Sequence, residues 1–367
     1  MKKSIAILAV TAAPFASAMK MEMPKVYGKI NKVIAHTDQE DVHAKKSMDG
    51  VTDVQNSESR LGVKGKVKLT KSVTAKYKLE LGLNSTNEGD AGSTTDGKYG
   101  RTRLRTAKVD VKTNYGKFTY GQTYAILSKM AKIADPLDGT VAGFQGDDQK
   151  ARIAKATKEI GFAYRSRVDL MAYTTPSIHG LTISVAADRD NDNSNGAAAT
   201  DSASGPTHYE YLARFQRDLG SVDLDLYVGQ SNFSQSDEGD QTYMMYGANL
   251  SFGNIDLNLG MSKQEDEEGG ASPVMIEVDR MFGAVAYTKD KCKLTLTYQT
   301  REDSNVAHVK NDKIDYSQIA VNYTHTFNKH ASASLTALKW ETDNKITTAK
   351  SDDNDATQLA LGMQLKF

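Results

Sequence analysis

Arg101, Arg103 and Arg105 alternate with Thr102, Leu104 and Thr106 in the run "GRTRLRTAKVD" that spans positions 100 to 110. A guanidinium stays charged at any relevant pH and carries five donors, so three of them at two-residue spacing can hold anions or set a fixed positive field. In a strand successive side chains point to opposite faces, which places the three arginines on one face and Thr102, Leu104 and Thr106 on the other. Like charges on one face repel, so that face must meet water. The water lies either outside a globule or inside a channel.

Other chemistry finds less support. The seven histidines, His36, His43, His179, His208, His308, His325 and His330, scatter through presumed loops and turns, and no Ser, His and acid set can be assembled from spacing. The run "DRDNDNSNG" at 188 to 196 has the oxygen-rich look of a calcium loop but lacks the EF-hand spacing and closing Glu. No cofactor motif is present. A single cysteine, Cys292, allows no intramolecular disulfide.

The chain opens "MKKSIAILAVTAAPFASA", a basic start, a short apolar run and an A-x-A ending at Ala18. This layout predicts a secretory signal peptide over residues 1–18 and one mature domain over 19–367. The apolar run is too short to cross about 30 Å of hydrocarbon as a helix, and no later run reaches about 20 apolar residues. The chain has 46 basic and 46 acidic residues; Lys2 and Lys3 leave with the leader, so the mature charge is −2. That balance excludes a general nucleic-acid binder and moves any electrostatic function into charge placement. A 39% hydrophobic share is low for a secreted globule, whereas 17 Tyr and 10 Phe argue against disorder. Order with little fully apolar core satisfies both.

Alternation runs from end to end. "RLGVKGKVKL" (60 to 69) sets Leu61, Val63, Val67 and Leu69 against Arg60, Lys64, Lys66 and Lys68, and "AKYKLELGL" (75 to 83) sets Ala75, Tyr77, Leu79, Leu81 and Leu83 against Lys76, Lys78, Glu80 and Gly82. "SVDLDLYVG" (221 to 229) does the same with Asp223 and Asp225 on its polar side. The period of two predicts sixteen strands near 24–36, 59–69, 73–83, 100–112, 116–124, 160–175, 180–189, 207–216, 221–232, 241–252, 254–262, 274–287, 292–300, 314–327, 331–342 and 356–367. Short turns alternate with long Gly, Asn, Asp and Ser rich loops such as 84–100, 189–206 and 263–273. The pattern is that of an all-β, transmembrane, antiparallel up-and-down barrel of about sixteen strands. Ten residues at about 3.3 Å rise and about 40° tilt cover the roughly 25 Å apolar band of such a barrel. A sandwich would have to bury Arg60, Lys64, Lys66 and Lys68 against a second sheet; a water-filled lumen accepts them.

The residues then resemble the general (trimeric, diffusion-type) porins of the Gram-negative outer membrane. "VYGKI" (26 to 30), "SRLGVKGK" (59 to 66), "GRTRL" and "NYGKFTYGQTY" (100 to 124), "YTTPSIHGLTISVA" (173 to 186) and the terminal Phe367 fall in the family's order along the whole mature chain. The resemblance implies a constriction with a basic wall facing an inward-folded third loop. It places Lys29, Arg60 and Arg103 on that wall with Arg165 or Arg167, and Lys64, Lys66, Lys78, Glu80, Arg101 and Arg105 elsewhere on the lumen face. The third loop would run from Ala125 to Gln149, with Asp135 and Asp138 facing the arginines and Asp147 and Asp148 at its far end. "ADPLDG" departs from the family's Pro-Glu-Phe-Gly run, and 150–159, "KARIAKATKE", reads as extra basic material with helical character. Implied partners are outer-membrane lipid and lipopolysaccharide, two further copies in a homotrimer, the barrel-assembly machinery, which would meet Phe367, and small hydrophilic solutes and ions. No enzyme activity is expected.

Fixed charges on two walls of a pore create a transverse field, strongest where low-dielectric walls focus it. Polar solutes orient in it and bulky apolar ones lose ordered water, so size and polarity decide passage. Alternating Arg and Lys is also how a barrel simply solvates its lumen. A substrate-selective anion or phosphate channel is the alternative, favoured by Lys64, Lys66, Lys68, Lys76 and Lys78 and opposed by Asp223, Asp225, Asp256 and Glu80. Tyr77, Phe118, Tyr120, Tyr209, Tyr211, Phe215, Tyr298, Tyr323 and Phe367 are read as an interfacial girdle.

Overall fold

The strands pair antiparallel in sequence order, and the last returns to the first long one, so the sheet closes into a ring. The computed structural model describes residues 20–41, 44–53, 59–83, 102–137, 140, 167–188, 208–235, 239–267, 275–305, 312–345 and 354–367. Its strands are β1 (Lys20–Met21), β2 (Lys25–Asp41), β3 (Ala44–Asp53), β4 (Ser59–Lys68), β5 (Thr74–Leu83), β6 (Thr102–Thr113), β7 (Gly116–Tyr124), β8 (Arg167–Thr174) and β9 (Leu181–Asp188). They continue as β10 (His208–Asp218), β11 (Asp223–Gln235), β12 (Gly239–Phe252), β13 (Ile255–Glu267), β14 (Met275–Lys289), β15 (Cys292–Ser304), β16 (Lys313–Asn328), β17 (Ala331–Lys345) and β18 (Asn354–Lys366). One helix, α1 (Ile126–Ala134), follows β7.

Eighteen segments make sixteen staves. β1 and the start of β2 both pair with β4, and Glu22-Met23-Pro24 interrupts them where proline removes a donor. β3 pairs with Lys32–Asp41 of β2 and β4 with Lys25–Lys29, so β3 prolongs the β4 stave towards the long-loop end. The pairing of β18 with β2 closes the barrel. Phe367 N donates to Gly28 O at 3.0 Å and Gly28 N to Phe367 O at 2.9 Å. The Phe367 ring occupies the space a Cβ at Gly28 would need, 2.3 Å from Cζ. Closure matters because lipid offers no partner for an open edge.

The apolar side of each strand faces outwards. Ile34, Leu361, Met363 and Leu359 on β2 and β18 are each more than half exposed, and Leu79, Val109, Ile183, Val228, Leu259, Val285, Leu296, Val321 and Leu335 carry the band around the barrel. A soluble protein would not leave so continuous a band bare. Lipid is the solvent that accepts it. Phe118, Tyr120, Tyr209, Tyr211, Tyr298 and Tyr323 are exposed on the same surface, while Tyr77 and Phe215 are half-buried.

The predicted strands are all present among the described residues, with three differences. Strands β2, β12, β13, β15, β16 and β17 run further at the long-loop end, where no lipid-facing alternation is needed to mark them. The β3 segment was not expected, and 160–166 lie outside the described residues. In β6, Thr106 does not share a face with Leu104: Glu80 pairs with Thr106 and Leu81 with Leu104, which leaves Arg105 as the extra residue of a β-bulge. A bulge sends two consecutive side chains to one face, and Thr106 is therefore buried beside Arg105.

Candidate functional site

The inner face of β4, β5 and β6 brings like charges into direct opposition. Lys64 pairs with Lys78, Lys78 with Lys108, and Lys66 with Lys76; Lys112 pairs with Lys117 of β7. Such pairs are destabilising unless water or counter-charge offsets them. Three acids supply part of the offset: Glu22 meets Lys66 at 2.7 Å, Asp110 meets Lys108 at 2.8 Å, and Glu80 meets Lys78 at 2.9 Å.

Glu80 is the hub of this wall and is 2% exposed. Its Oε1 accepts from Arg60 Nη1 at 3.2 Å and from Arg105 Nε at 3.1 Å, and its Oε2 accepts from Tyr27 OH at 2.9 Å. A buried charge is tolerated when paired and hydrogen-bonded, and one carboxylate here holds three cations and a phenol. The bulge makes this possible by turning Arg105, fully buried, onto Glu80. Beyond it, Tyr124 OH accepts from Arg167 Nη2 at 2.6 Å and from Arg105 Nη2 at 3.5 Å. The Arg167 guanidinium also stacks 4.3 Å from the Tyr124 ring centroid, and Lys64 lies 4.9 Å from that of Tyr27.

Helix α1 crosses the lumen on the other side. Leu127, Met130, Ala131 and Ala134, spaced for one helical face, pack against Leu212, Tyr227, Tyr243, Met245, Phe282 and Ala284 on the inner wall of β10 to β14. Gly229 permits this approach, because a Cβ there would sit 2.3 Å from Leu127 Cδ2. Ala125 provides no side-chain cap. Instead Glu210 Oε2 accepts from Ile126 N at 2.5 Å and Leu127 N at 3.3 Å, setting a carboxylate at the positive end of the helix. Behind Glu210, His208, which lies on β10 and not in a loop, bridges Asp188 Oδ1 at 2.6 Å and Ser231 Oγ at 2.5 Å; all three are buried. Past the helix, Leu137 packs on Tyr316, Leu338 and Trp340 of β16 and β17. The loop thus narrows the bore.

The helix presents Lys129 and Lys132 to the lumen and no acid in its first turn. Lys132 lies 5.7 Å from the Tyr124 ring. Lys129 is exposed to lumen solvent yet ringed by the wall, and the water displaced by that wall, with Lys117 and Lys108 nearby, pushes its pKa down to about 8.

Several expected residues meet here. Lys29 lies opposite Arg60 in register, and Arg60, Lys78, Glu80, Arg105 and Arg167 join one network. Arg103 is paired through its backbone with Gly82, and its side chain lies outside the described residues. Arg101, Arg165, Asp138, Asp147, Asp148 and the 150–159 segment also lie outside them. Asp135 is buried in its own turn, its Oδ1 accepting from Leu137 N at 2.8 Å, and it lines a cavity against β10 to β13. Among the described residues no three His, Cys, Asp or Glu could hold a metal. Sequence reasoning missed Tyr27, Tyr124, Glu210 and the helix, although Ile126, Leu127, Met130, Ala131 and Ala134 carry a helical period.

A family model described as Gram-negative porin matches residues 4–345. Solved structures with the same fold include an anion-selective porin from Comamonas acidovorans, with a TM-score of 0.70, 16% identity and coverage of 94% of this chain and 99% of that one. Another is the outer membrane channel DcaP of Acinetobacter baumannii, with a TM-score of 0.62, 15% identity and coverage of 96% and 98%. The trimer form of OmpT from Vibrio cholerae matches with a TM-score of 0.61, 15% identity and coverage of 95% and 100%. No curated protein matches the chain.

Proposed function

The chain belongs to the Gram-negative porin family, outer-membrane β-barrel channels for passive diffusion of small hydrophilic solutes and ions, and we propose that this pore prefers anions. The observation that carries the reading is the set of lysine pairs on β4 to β7 facing a helix whose lumen side is also basic. Ten cations (Arg60, Lys64, Lys66, Lys68, Lys76, Lys78, Arg105, Lys108, Lys112 and Lys117) share that sector with Glu80 and Asp110, and with Glu22, which reaches Lys66 from the residues before β2. In a bore with low-dielectric walls, fixed positive charge raises the local anion concentration. The basic side of the constriction is assigned to Lys29, Arg60, Arg105 and Arg167, with Arg101, Arg103 and Arg165 as its further members and Asp135 and Asp138 on the loop side.

A reversal potential in a planar bilayer under a KCl gradient tests this. The expected sign is that of chloride preference, and Lys66→Glu with Lys76→Glu moves it towards potassium. A potential unchanged by both substitutions removes the lysine sector from selectivity. A narrower reading, a channel selective for phosphate or a similar anion, is favoured by the same lysine pairs; block of chloride current by phosphate well below the chloride concentration would establish it.

The working unit is proposed to be a homotrimer, in keeping with the trimer form of Vibrio cholerae OmpT. Residues 1–18 are assigned to a signal peptide and 19–367 to the single barrel domain. Lipopolysaccharide is assigned to the outer face, and the barrel-assembly machinery to Phe367 at the β2–β18 seam.

A further inference from the structure

Beneath the C-terminal end of α1 the lumen wall changes character. Two adjacent cross-strand rows on β10 to β13 point inwards: Asp218, Asp223, Ser251 and Asp256, then Gln216, Asp225, Asn249 and Asn258. Every one ends in a carboxylate, amide or hydroxyl. With Ile133, Asp135 and Pro136 at the end of α1 as a roof, these rows line a cavity of about 680 Å³.

The internal bonding of this grid leaves acceptors over. Arg214 binds Asp225 through both oxygens, at 2.8 and 2.6 Å, and neutralises it. Ser251 Oγ donates to Asp256 Oδ1 at 2.7 Å, and Asn258 Nδ2 donates to Asn249 Oδ1 at 2.9 Å. Among the described residues Asp218, Asp223 and Asp256 have no ion-pair partner. Asn258, only 8% exposed, lines the cavity with its Oδ1 unpartnered. A buried amide oxygen without a donor is costly, and in a polar cavity it is a place for a hydrogen-bonding guest. Lys293 and Arg217 are the basic residues of the lining; the second lies on the opposite face of β10 from Gln216 and Asp218.

The chemistry selects the guest. The carboxylates want a cation, and the absence of a three-ligand cluster among the described residues turns the site away from a bare metal ion. A cavity of this volume holds a molecule the size of a monosaccharide. Asn249, Asn258 and Ser251 beside the acids suit hydroxyl groups. We propose that this cavity is a binding site for small hydroxylated organic cations, an ammonium group held by Asp223 and Asp256 and hydroxyls met by the Asn258 and Asn249 amides. The inference rests on the channel reading, since the site is reached only through the lumen. It adds a cation-holding station to a bore whose neighbouring sector is basic.

The test uses the purified trimer in a planar bilayer at about pH 6, below the usual range of an amine of this kind, with solute added from the short-turn side. Glucosamine is expected to interrupt the current at a concentration about tenfold lower than glucose or N-acetylglucosamine, the difference expected of a charge-assisted contact. Asp223→Asn with Asp256→Asn is expected to erase that difference. Asn258→Ala, which leaves the carboxylates in place, is expected to weaken glucosamine block several-fold. Variants are compared only when their KCl conductance matches the parent, so misfolding does not pass for lost binding. Equal block by glucose, or undiminished glucosamine block in the double variant, overturns the site while leaving the channel intact. Failure of the parent protein to conduct KCl at all overturns the channel reading and the site with it.

Discussion

Two sectors of one wall, separated by β8 and β9, solve the same problem in opposite ways. On β4 to β7 the inner face stacks lysine against lysine in register and relies on lumen water, Glu22, Asp110 and above all Glu80 to offset the repulsion. On β10 to β13 the inner face is apolar where α1 lies on it and carboxylate-rich below, with Arg214 as the ion-paired cation beside Asp225. The outward face is the same lipid-facing alternation in both. Strand periodicity therefore fixes which residues look inwards, but only the identity of those residues decides whether a sector repels itself, seats a helix or gathers cations.

The sharpest way to break the comparison is to remove the residue on which the lysine sector depends. Glu80→Gln keeps the shape and removes the charge that Arg105 and Arg60 both contact. Arg105 is fully buried, so the loss is expected near the value for breaking a buried ion pair, about 3–5 kcal/mol. The denaturant midpoint of the detergent-solubilised barrel measures it. A change below about 1 kcal/mol would place Arg105 in contact with lumen water, as for an exposed pair, and would erase the distinction between a pinned wall and a merely wet one.

The second sector is tested at Gly229. Its replacement by Ala drives a methyl into Leu127 Cδ2 at 2.3 Å, with Tyr211 O at 2.9 Å on the other side. Leu127 must move, at a cost of about 1–3 kcal/mol for an overpacked contact. Because α1 narrows the bore, single-channel conductance is expected to change together with stability. Glu210→Gln keeps the packing and weakens the charged cap, a smaller loss of about 1 kcal/mol. Unchanged conductance in Gly229→Ala would show that the helix does not set the aperture.

The staves were legible because lipid imposes a strict demand: each must show an apolar residue at every second position within the band. Where that demand ends, legibility ends. The β3 segment, "AKKSMDGVTD", meets the band only at its end, where Val51 falls opposite Ile34, and has no alternation to read. The bulge at Arg105 carries no glycine to announce it, so strict alternation puts Thr106 on the wrong face. Glu80 was recognisable as an inward carboxylate, but its partners come from β2, β4 and β6, and only register brings Tyr27, Arg60 and Arg105 to it. The cap of α1 comes from Glu210, 84 positions away from Ile126, a contact no local pattern encodes.

The smallest effect joins the two sectors, because Lys129 rides on the helix seated on one and faces the cations of the other. An ordinary lysine amine titrates near 10.4. Here desolvation by the surrounding wall first, then Lys117, Lys108 and Arg214, outweigh the opposing pull of Asp110 and lower the value to about 8, although the amine itself meets lumen water. A lowered lysine pKa means the charge is present at pH 6 and largely gone by about pH 9, whereas an unperturbed amine would keep it. Raising the pH over that window should therefore shift the KCl-gradient reversal potential a few millivolts away from chloride preference. Lys129→Met should show the high-pH potential throughout and lose the step. A step that survives in Lys129→Met would assign the titration to another group and would separate the helix electrically from the lysine wall.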